Sequence, residues 1–142
     1  MEKTFWFDMD GTIADLYDVK NWLEKLLAED ETPYLEAAPM CNMSLLARYL
    51  NKARKLGFKI GIVSWLSKNS TTNYNEKVTA AKKKWLNTHL PSVSWDDIKI
   101  IPYGTPKFYL EIMIMTFYLM MKLETENYGA IQLMNQIVLS KY

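Results

Sequence analysis

The stretch that decides the fold is FWFDMDGT, residues 5–12, close to the start of the sequence. It opens with a short aromatic run typical of a buried strand and ends in a polar turn that holds two aspartates and a glycine. Two later runs, residues 58–64 and 98–103, are rich in β-branched residues and also lead into small or polar residues. These runs predict three strands, the first at residues 4–7.

Apolar residues at helical spacing separate the predicted strands. The i, i+3, i+4 pattern predicts helices from residue 18 or 19 to 29, over 44–56 and over 75–90. Strands and helices in alternation favour an α/β sandwich whose parallel strands are joined by right-handed crossovers. In such a sheet, ligands bind beyond the carboxyl ends of the strands.

The composition excludes several classes of function. The 142 residues suffice for one domain, and 17 Lys+Arg against 16 Asp+Glu argue against a protein that coats nucleic acid. One cysteine excludes an internal disulfide framework and a Cys-rich zinc site. Residues 1–7 do not resemble a signal peptide, and the apolar run at 108–121 is shorter than the roughly 20 residues of a membrane span. We therefore expect a cytoplasmic protein without a membrane partner; the sequence leaves its oligomeric state open.

Polar side chains follow the predicted strands: Asp8 and Asp10 the first, Ser64 the second and Lys107 the third. Two carboxylates two residues apart suit phosphoryl transfer from a monoester, with Asp8 as nucleophile and Asp10 as general acid and then base. Gly11 permits a tight turn that brings main-chain N–H groups to the phosphoryl oxygens, which the Ser64 hydroxyl and the Lys107 ammonium would also hold. Because Asp8 and a dianionic phosphate repel each other, we expect Mg²⁺ to bridge them.

Lys107 competes with Lys82 for the role of the phosphate-holding cation. Lys82 would project from a helix face, and the lysine run at residues 82–84 is typical of a solvated surface. We therefore favour Lys107, which follows a strand. Two tryptophans could stack on a nucleobase, but tryptophan at helical spacing more often belongs to the core: Trp22 and Trp65.

The three motifs resemble those of the haloacid dehalogenase-like (HAD) phosphatases. FWFDMDGTIAD, residues 5–15, resembles the first motif; residues 62–64 resemble the second, and Lys107 in YGTPK resembles the third. The stretches FDMDGTIADLY, IGIVSWLSKN and PYGTPK are similar, more narrowly, to the small 5′-nucleotidase branch related to cytosolic deoxyribonucleotidases. The resemblance covers residues 1–107.

This resemblance implies a Rossmann-like core, with a parallel sheet covered by helices on both faces and a minimal cap formed by residues 15–43. It implies Mg²⁺ as the cofactor, held at Asp8 and Asp10. It also implies a phosphate site, formed by Gly11, Thr12, Ser64, Trp65 and Lys107.

The function that these motifs predict is Mg²⁺-dependent hydrolysis of phosphomonoesters through an aspartyl-phosphate. The expected partner is a small phosphorylated substrate, with nucleoside monophosphates as one class. Phosphotransfer or dehalogenation on the same scaffold is a further alternative. Dehalogenation is disfavoured, because dehalogenases usually lack the second aspartate, here Asp10. An alternative remains open: a catalytically impaired or inactive remnant that persists as a binding module or has no function.

Residues 108–142 do not continue the resemblance. The family's fourth motif is an acidic pair that completes the metal site, whereas this stretch contains no Asp and five of the nine methionines. If each codon is read one nucleotide earlier, the new codon combines the last base of one codon with the first two bases of the next. At several positions the encoded residue is then the same whichever synonymous codons the gene uses. Ile114, Thr116 and Met121 each follow a Met codon that ends in G and become Asp, and Lys122 becomes Glu. We therefore hypothesise that residues 108–142 are an aberrant apolar tail, out of frame because one nucleotide is lost near the Lys107 codon.

We predict that the gene carries one more nucleotide in an A/T run at the Lys107 codon than this sequence reflects. Sequencing the gene and its transcript across that codon is the measurement. An extra base there confirms the prediction, because it continues residues 1–107 into the frame that encodes the acidic pair. A verified reading without it, together with a purified protein whose mass matches the 142-residue chain, establishes a genuinely divergent tail instead.

Overall fold

The computed structural model describes residues 4–107, so the tail and its reading frame lie outside the described residues. The elements follow one another as β1 (Thr4–Phe7), β2 (Ala14–Asp15), a 3₁₀ turn (Leu16–Asp18), α1 (Trp22–Leu27), α2 (Thr32–Glu36), β3 (Ala38–Pro39), α3 (Met43–Lys55), β4 (Lys59–Trp65), α4 (Thr72–His89) and β5 (Asp97–Ile101).

The three predicted strands form one parallel sheet in the order β1–β4–β5. Phe7 pairs with Ile62, and Ser64 pairs with Ile100, so the strands run in register toward a common edge. Along the chain, α3 lies between β1 and β4, and α4 lies between β4 and β5. The mixed α/β class is therefore confirmed, whereas the finer expectation of a Rossmann-like core with helices on both faces stays a prediction.

The main core lies between the sheet and the long helices. Phe5 and Phe7 of β1 alternate with half-buried residues, which is the pattern of a strand with one face in the core. They pack in one cluster with β4, α3 and α4 side chains, which include Ile60, Ile62, Leu46, Leu50, Trp85 and Leu86. Side chains of both long helices thus meet the same sheet residues.

The predicted first helix is shorter than its apolar spacing indicates. Only Trp22–Leu27 is α-helical, and none of its residues is buried. Asn21, directly before it, has a left-handed φ of 57°, which separates the helix from the preceding 3₁₀ turn. Leu23 and Leu27 are exposed, whereas Leu26 is half-buried and packs against a smaller core cluster that includes Leu16 and Tyr34. Only part of the predicted apolar stripe therefore faces the core.

Residues 15–43 are nevertheless held against α4 by side-chain hydrogen bonds. Both carboxylate oxygens of Glu29 accept from Thr71, one from its N–H and one from its hydroxyl, each at 2.9 Å. The Tyr74 hydroxyl donates to the Asp30 carbonyl at 2.9 Å, and the indole of Trp85 donates to the Ala37 carbonyl at 2.7 Å. The segment is thereby placed beside the helix that reaches the sheet edge.

None of the helices within residues 4–107 is long and apolar enough to cross a membrane.

We predict that Gly61→Ala destabilises the protein. A Cβ at Gly61 would lie 2.6 Å from two ring atoms of Trp6 on the neighbouring strand, so the ring would have to move. Overpacking of this kind costs about 1–3 kcal/mol. Urea denaturation measures the loss, and Trp6→Leu in the Gly61→Ala background should recover part of it because the shorter side chain frees the space. Equal stability of Gly61→Ala and the parent contradicts the contact.

Candidate functional site

The first strand leads into a tight turn that presents two aspartates. The Met9 carbonyl accepts from the N–H groups of Ile13 and Ala14, each at 3.0 Å, and Met9 itself is buried. The Asp8 and Asp10 side chains are 17% and 15% exposed, so each carboxylate is mostly buried and keeps a small part in contact with solvent. The two predicted carboxylates therefore stand together at the carboxyl end of β1.

Gly11 is needed for the conformation of this turn. Its φ is +70°, which is the left-handed region, and a Cβ there would lie 2.7 Å from a ring carbon of Tyr17. Its N–H donates to the Ala14 carbonyl at 2.9 Å, and the Thr12 N–H donates to the Met9 carbonyl at 3.2 Å. Both N–H groups are thus engaged within the turn. That main-chain N–H groups of this turn hold phosphoryl oxygens stays a prediction.

A fully buried lysine reaches the same edge from α4. The Lys82 Nζ lies 2.5 Å from Asp10 Oδ2, 2.7 Å from Ser64 Oγ and 2.7 Å from the Trp65 carbonyl oxygen. The expectation of a solvated lysine face is therefore wrong for Lys82, although Lys83 and Lys84 are exposed. The cause is the helix period, because residue 82 falls on the buried face of α4.

The surroundings of Lys82 account for its charge in the interior. An ammonium has three N–H donors, and three acceptors surround this one. The Tyr34 ring also lies beneath Nζ at 4.7 Å from the ring centroid. Burial lowers the pKa of Lys82, while the neighbouring Asp10 carboxylate acts to raise it. Its bonding is saturated, so Lys82 holds Asp10 and Ser64 in place.

Ser64, the predicted polar residue after the second strand, is completely buried. Its hydroxyl lies 3.3 Å from Asp10 Oδ2 and accepts from Lys82 at 2.7 Å. It therefore joins the β4 end to the β1 end through the carboxylate of Asp10.

Lys107 approaches from the loop after β5 and pairs with the other aspartate. Its Nζ donates to Asp8 Oδ1 at 2.9 Å, and the Met9 N–H donates to the same oxygen at 2.8 Å. The ring of Trp65 lies below this ammonium, 4.2 Å from Nζ to the ring centroid. Among the described residues, Lys107 donates one hydrogen bond, to Asp8. Its two other N–H groups are therefore left for a ligand.

Two tyrosines stand beside the carboxylates. Tyr17 is 57% exposed and Tyr103 is 54% exposed, so both present much of their rings to solvent. Partial burial raises the pKa of Tyr17, and the negative charges of Asp10 and Asp8 raise it further. Tyr103 packs on Trp65 at a centroid distance of 5.2 Å, with the Lys68 ammonium 5.9 Å from the Tyr103 ring. We call Tyr17, Tyr103 and Lys68 the mouth of the site; they place two aromatic rings and one ammonium beside it.

The oxygens at this edge fit a hard cation in type but not in number. Asp8 Oδ2 and Asp10 Oδ1 accept no hydrogen bond from residues 4–107, and Mg²⁺ prefers such oxygens while keeping several waters. Within that same range, however, no group of three or more His, Cys, Asp or Glu side chains could hold a metal. Mg²⁺ as the cofactor therefore stays a prediction.

The structure thus brings together the predicted residues Asp8, Asp10, Ser64, Trp65 and Lys107, with Gly11 and Thr12 in the adjoining turn. Lys82 completes the set, and the sequence contained a signal for it. Residues 78, 81, 82, 85 and 86 are all buried and share the helical spacing of a core-facing stripe. A lysine within such a stripe requires buried partners, and strand-end aspartate and serine are the partners it finds.

Comparisons of the chain with protein-family models, curated proteins and solved structures found no match.

We predict that Lys82→Met destabilises the fold by about 3 kcal/mol, because it leaves the partly buried Asp10 carboxylate without its cation. Thermal and urea denaturation measure the change. Lys83→Met is the matched control on the same helix; its side chain is exposed, so its effect should stay within about 0.5 kcal/mol. Adding Asp10→Asn to Lys82→Met should recover much of the loss. Strictly additive losses in the double variant contradict a direct Lys82–Asp10 pair.

Proposed function

We propose that the protein is a Mg²⁺-dependent phosphomonoester hydrolase that works through an aspartyl-phosphate. One observation carries the proposal: at one sheet edge, two aspartates are each paired with a lysine through one oxygen, and the other oxygen accepts no hydrogen bond from residues 4–107. This arrangement holds two carboxylates in fixed orientation with one oxygen each available for chemistry. The resemblance of the same motifs to HAD phosphatases agrees with it.

In the first step, a carboxylate oxygen of Asp8 attacks the phosphorus atom of the monoester. The bond from phosphorus to the ester oxygen breaks, and the leaving oxygen takes a proton from Asp10, which enters this step protonated on Oδ1, the oxygen that does not face Lys82. Asp8 suits the nucleophile because Oδ1 is held by Lys107 and by the Met9 N–H, which orients Oδ2.

In the second step, water attacks the phosphorus atom of the aspartyl-phosphate. Asp10 takes a proton from that water, the bond from phosphorus to the Asp8 oxygen breaks, and inorganic phosphate leaves. Asp10, which gave its proton to the leaving oxygen in the first step, is thus protonated again by the attacking water. Lys82 and Ser64 keep Asp10 at the position from which it serves both steps.

The two lysines have different roles in this proposal. Lys82 has three acceptors for three donors, so it positions protein groups. Lys107 uses one donor on Asp8, and its remaining donors would hold the phosphoryl oxygens and offset their developing charge. The preference for Lys107 over Lys82 as the phosphate-binding cation is therefore retained, on the basis of donor count.

Mg²⁺ would be held by the Asp8 carboxylate and the Asp10 main-chain carbonyl, together with water. When bound, it supplies positive charge that reduces repulsion between the nucleophile and the phosphate dianion. The aromatic and basic mouth formed by Tyr17, Tyr103 and Lys68 suits a small phosphorylated substrate with an organic group directed outward, of which nucleoside monophosphates are one class.

A phosphate-binding module without turnover is the second candidate. It is favoured by the metal-ligand set, because the described residues provide no cluster of three acidic or other metal-binding side chains. In that case the chain retains affinity for phosphate through Lys107 and the strand ends but does not hydrolyse esters.

We predict that the protein hydrolyses p-nitrophenyl phosphate only with Mg²⁺ and that Asp8→Asn abolishes the reaction, because the nucleophilic carboxylate is lost. Asp10→Asn should lower the rate by about 100-fold or more, since general acid–base assistance is of that size. Its effect should be larger on a nucleoside monophosphate, whose poor leaving group needs the proton more. Release of p-nitrophenol and of inorganic phosphate are the measurements.

Asp18→Asn is the matched control for these variants, since Asp18 is exposed on the adjoining 3₁₀ turn and should leave the rate unchanged. Transfer of labelled phosphate from substrate to Asp8, detected by mass spectrometry of the quenched protein, tests the intermediate directly. Phosphate binding by calorimetry without any Mg²⁺-dependent turnover establishes the binding module instead.

A further inference from the structure

Trp65 connects the end of β4 to the loop that carries Lys107. Its indole N–H donates to the Thr105 carbonyl at 2.8 Å, and its ring lies below the Lys107 ammonium at 4.2 Å from Nζ to the centroid. One side chain therefore contacts both the main chain of the loop and the cation at its end. Because the N–H is engaged by Thr105, the Trp65 side chain has no donor left for a phosphate.

The loop itself is a closed turn, so the contact with Trp65 places it as a unit. The Pro102 carbonyl accepts from the Thr105 N–H at 3.1 Å and from the Thr105 hydroxyl at 2.7 Å. Gly104, the third residue of this four-residue turn, has a φ of +81°, the value that a type II turn requires there. Fixing the Thr105 carbonyl on the indole therefore sets where the chain enters Lys107, two residues later.

The ring then limits where the ammonium can stand. A lysine side chain has four rotatable bonds, and ordering it has an entropic cost that a second contact must offset. Lys107 is 12% exposed, so its interaction with the ring takes place mostly out of water, where cation–π attraction is stronger. The ring attracts the charge without accepting its donors in a directed way, which leaves N–H groups for Asp8 and for a ligand.

We propose that Trp65 is the positioning residue for Lys107 in phosphate binding; this rests on the proposed function. Trp65 acts on the phosphate through Lys107 and not by touching it. Its ring holds the ammonium against Asp8, and its indole N–H fixes the loop from which Lys107 extends. The sequence resemblance implied that Trp65 belongs to the phosphate site, and this proposal gives its side chain an indirect role there.

A double-variant cycle tests this assignment in the full chain. Trp65→Leu removes ring and donor, Trp65→Phe keeps a ring face but removes the donor, and Lys107→Met removes the cation. Calorimetry with inorganic phosphate and Mg²⁺ gives affinity, and p-nitrophenyl phosphate gives kcat and KM. We expect Trp65→Leu to weaken phosphate binding about tenfold and Trp65→Phe to weaken it less. In the Lys107→Met background, Trp65→Leu should have no further effect.

The chain offers a matched control in a second tryptophan–lysine pair on the same sheet. The Lys99 ammonium lies 4.4 Å from the centroid of the Trp6 ring, and neither residue contacts Asp8 or Asp10 in the described residues. Trp6→Leu and Lys99→Met should leave phosphate affinity unchanged. A purely structural effect of losing a tryptophan would lower the melting temperature in both series without reproducing the cycle.

Fluorescence provides a readout that needs no turnover. An ammonium close to one face of an indole shifts its emission, so Lys107→Met should change the emission of the parent but not that of Trp65→Phe. This response, with non-additive phosphate affinities, supports the assignment. An emission change that persists in Trp65→Phe, or additive losses in the cycle, overturns it. If the parent neither turns over substrate nor binds phosphate, the proposed function fails, and the fluorescence response alone decides whether Trp65 positions Lys107.

Discussion

A buried ammonium requires an acceptor for each of its hydrogens, and at Lys82 this requirement links three parts of the chain. Its acceptors are Asp10 in the turn after β1, the Ser64 hydroxyl and the Trp65 carbonyl, both at the end of β4. The helix that carries Lys82 must therefore sit where these strand ends meet. Tyr34, from the segment held against α4, closes the remaining side of the charge. Lys82 is thus the one group that contacts the turn after β1, the end of β4 and the segment that packs on α4.

Much of the sheet and of the site follows from local sequence. Short apolar runs ending in Asp8, Ser64 or the loop before Lys107 indicate strands, because β-branched and aromatic residues pair well and polar residues stop the run. Parallel order then brings the carboxyl ends to one edge, which is why residues far apart in the chain could be grouped without a structure. These predictions depend on hydrophobic period, which the sequence shows directly, and on the parallel order that alternating strands and helices imply.

Two features do not follow from local sequence, and both depend on tertiary partners. In α1, Leu23 and Leu27 belong to the predicted apolar stripe, yet the helix spans only six residues and both side chains are exposed. In α4, a run of three lysines resembles a solvated face, although the first belongs to the buried stripe. Periodicity gives the face of a helix, but whether a partner covers that face is decided elsewhere in the chain.

The charges at the sheet edge give the residues beyond Lys107 their importance. Asp8 and Asp10 are each paired with one lysine, so the described site is close to neutral before any ligand arrives. A dianionic phosphate alone or a divalent cation alone would unbalance it, whereas the two together would not. Under the proposed function, the site with only these carboxylates accepts metal and phosphate as a pair. A further acidic pair, such as the alternative frame encodes at positions 121 and 122, would add the negative charge needed to hold the metal beforehand. Under the proposed function, an acidic pair placed at the sheet edge would let the metal bind before the phosphate, whereas the described carboxylates alone favour binding of the two together.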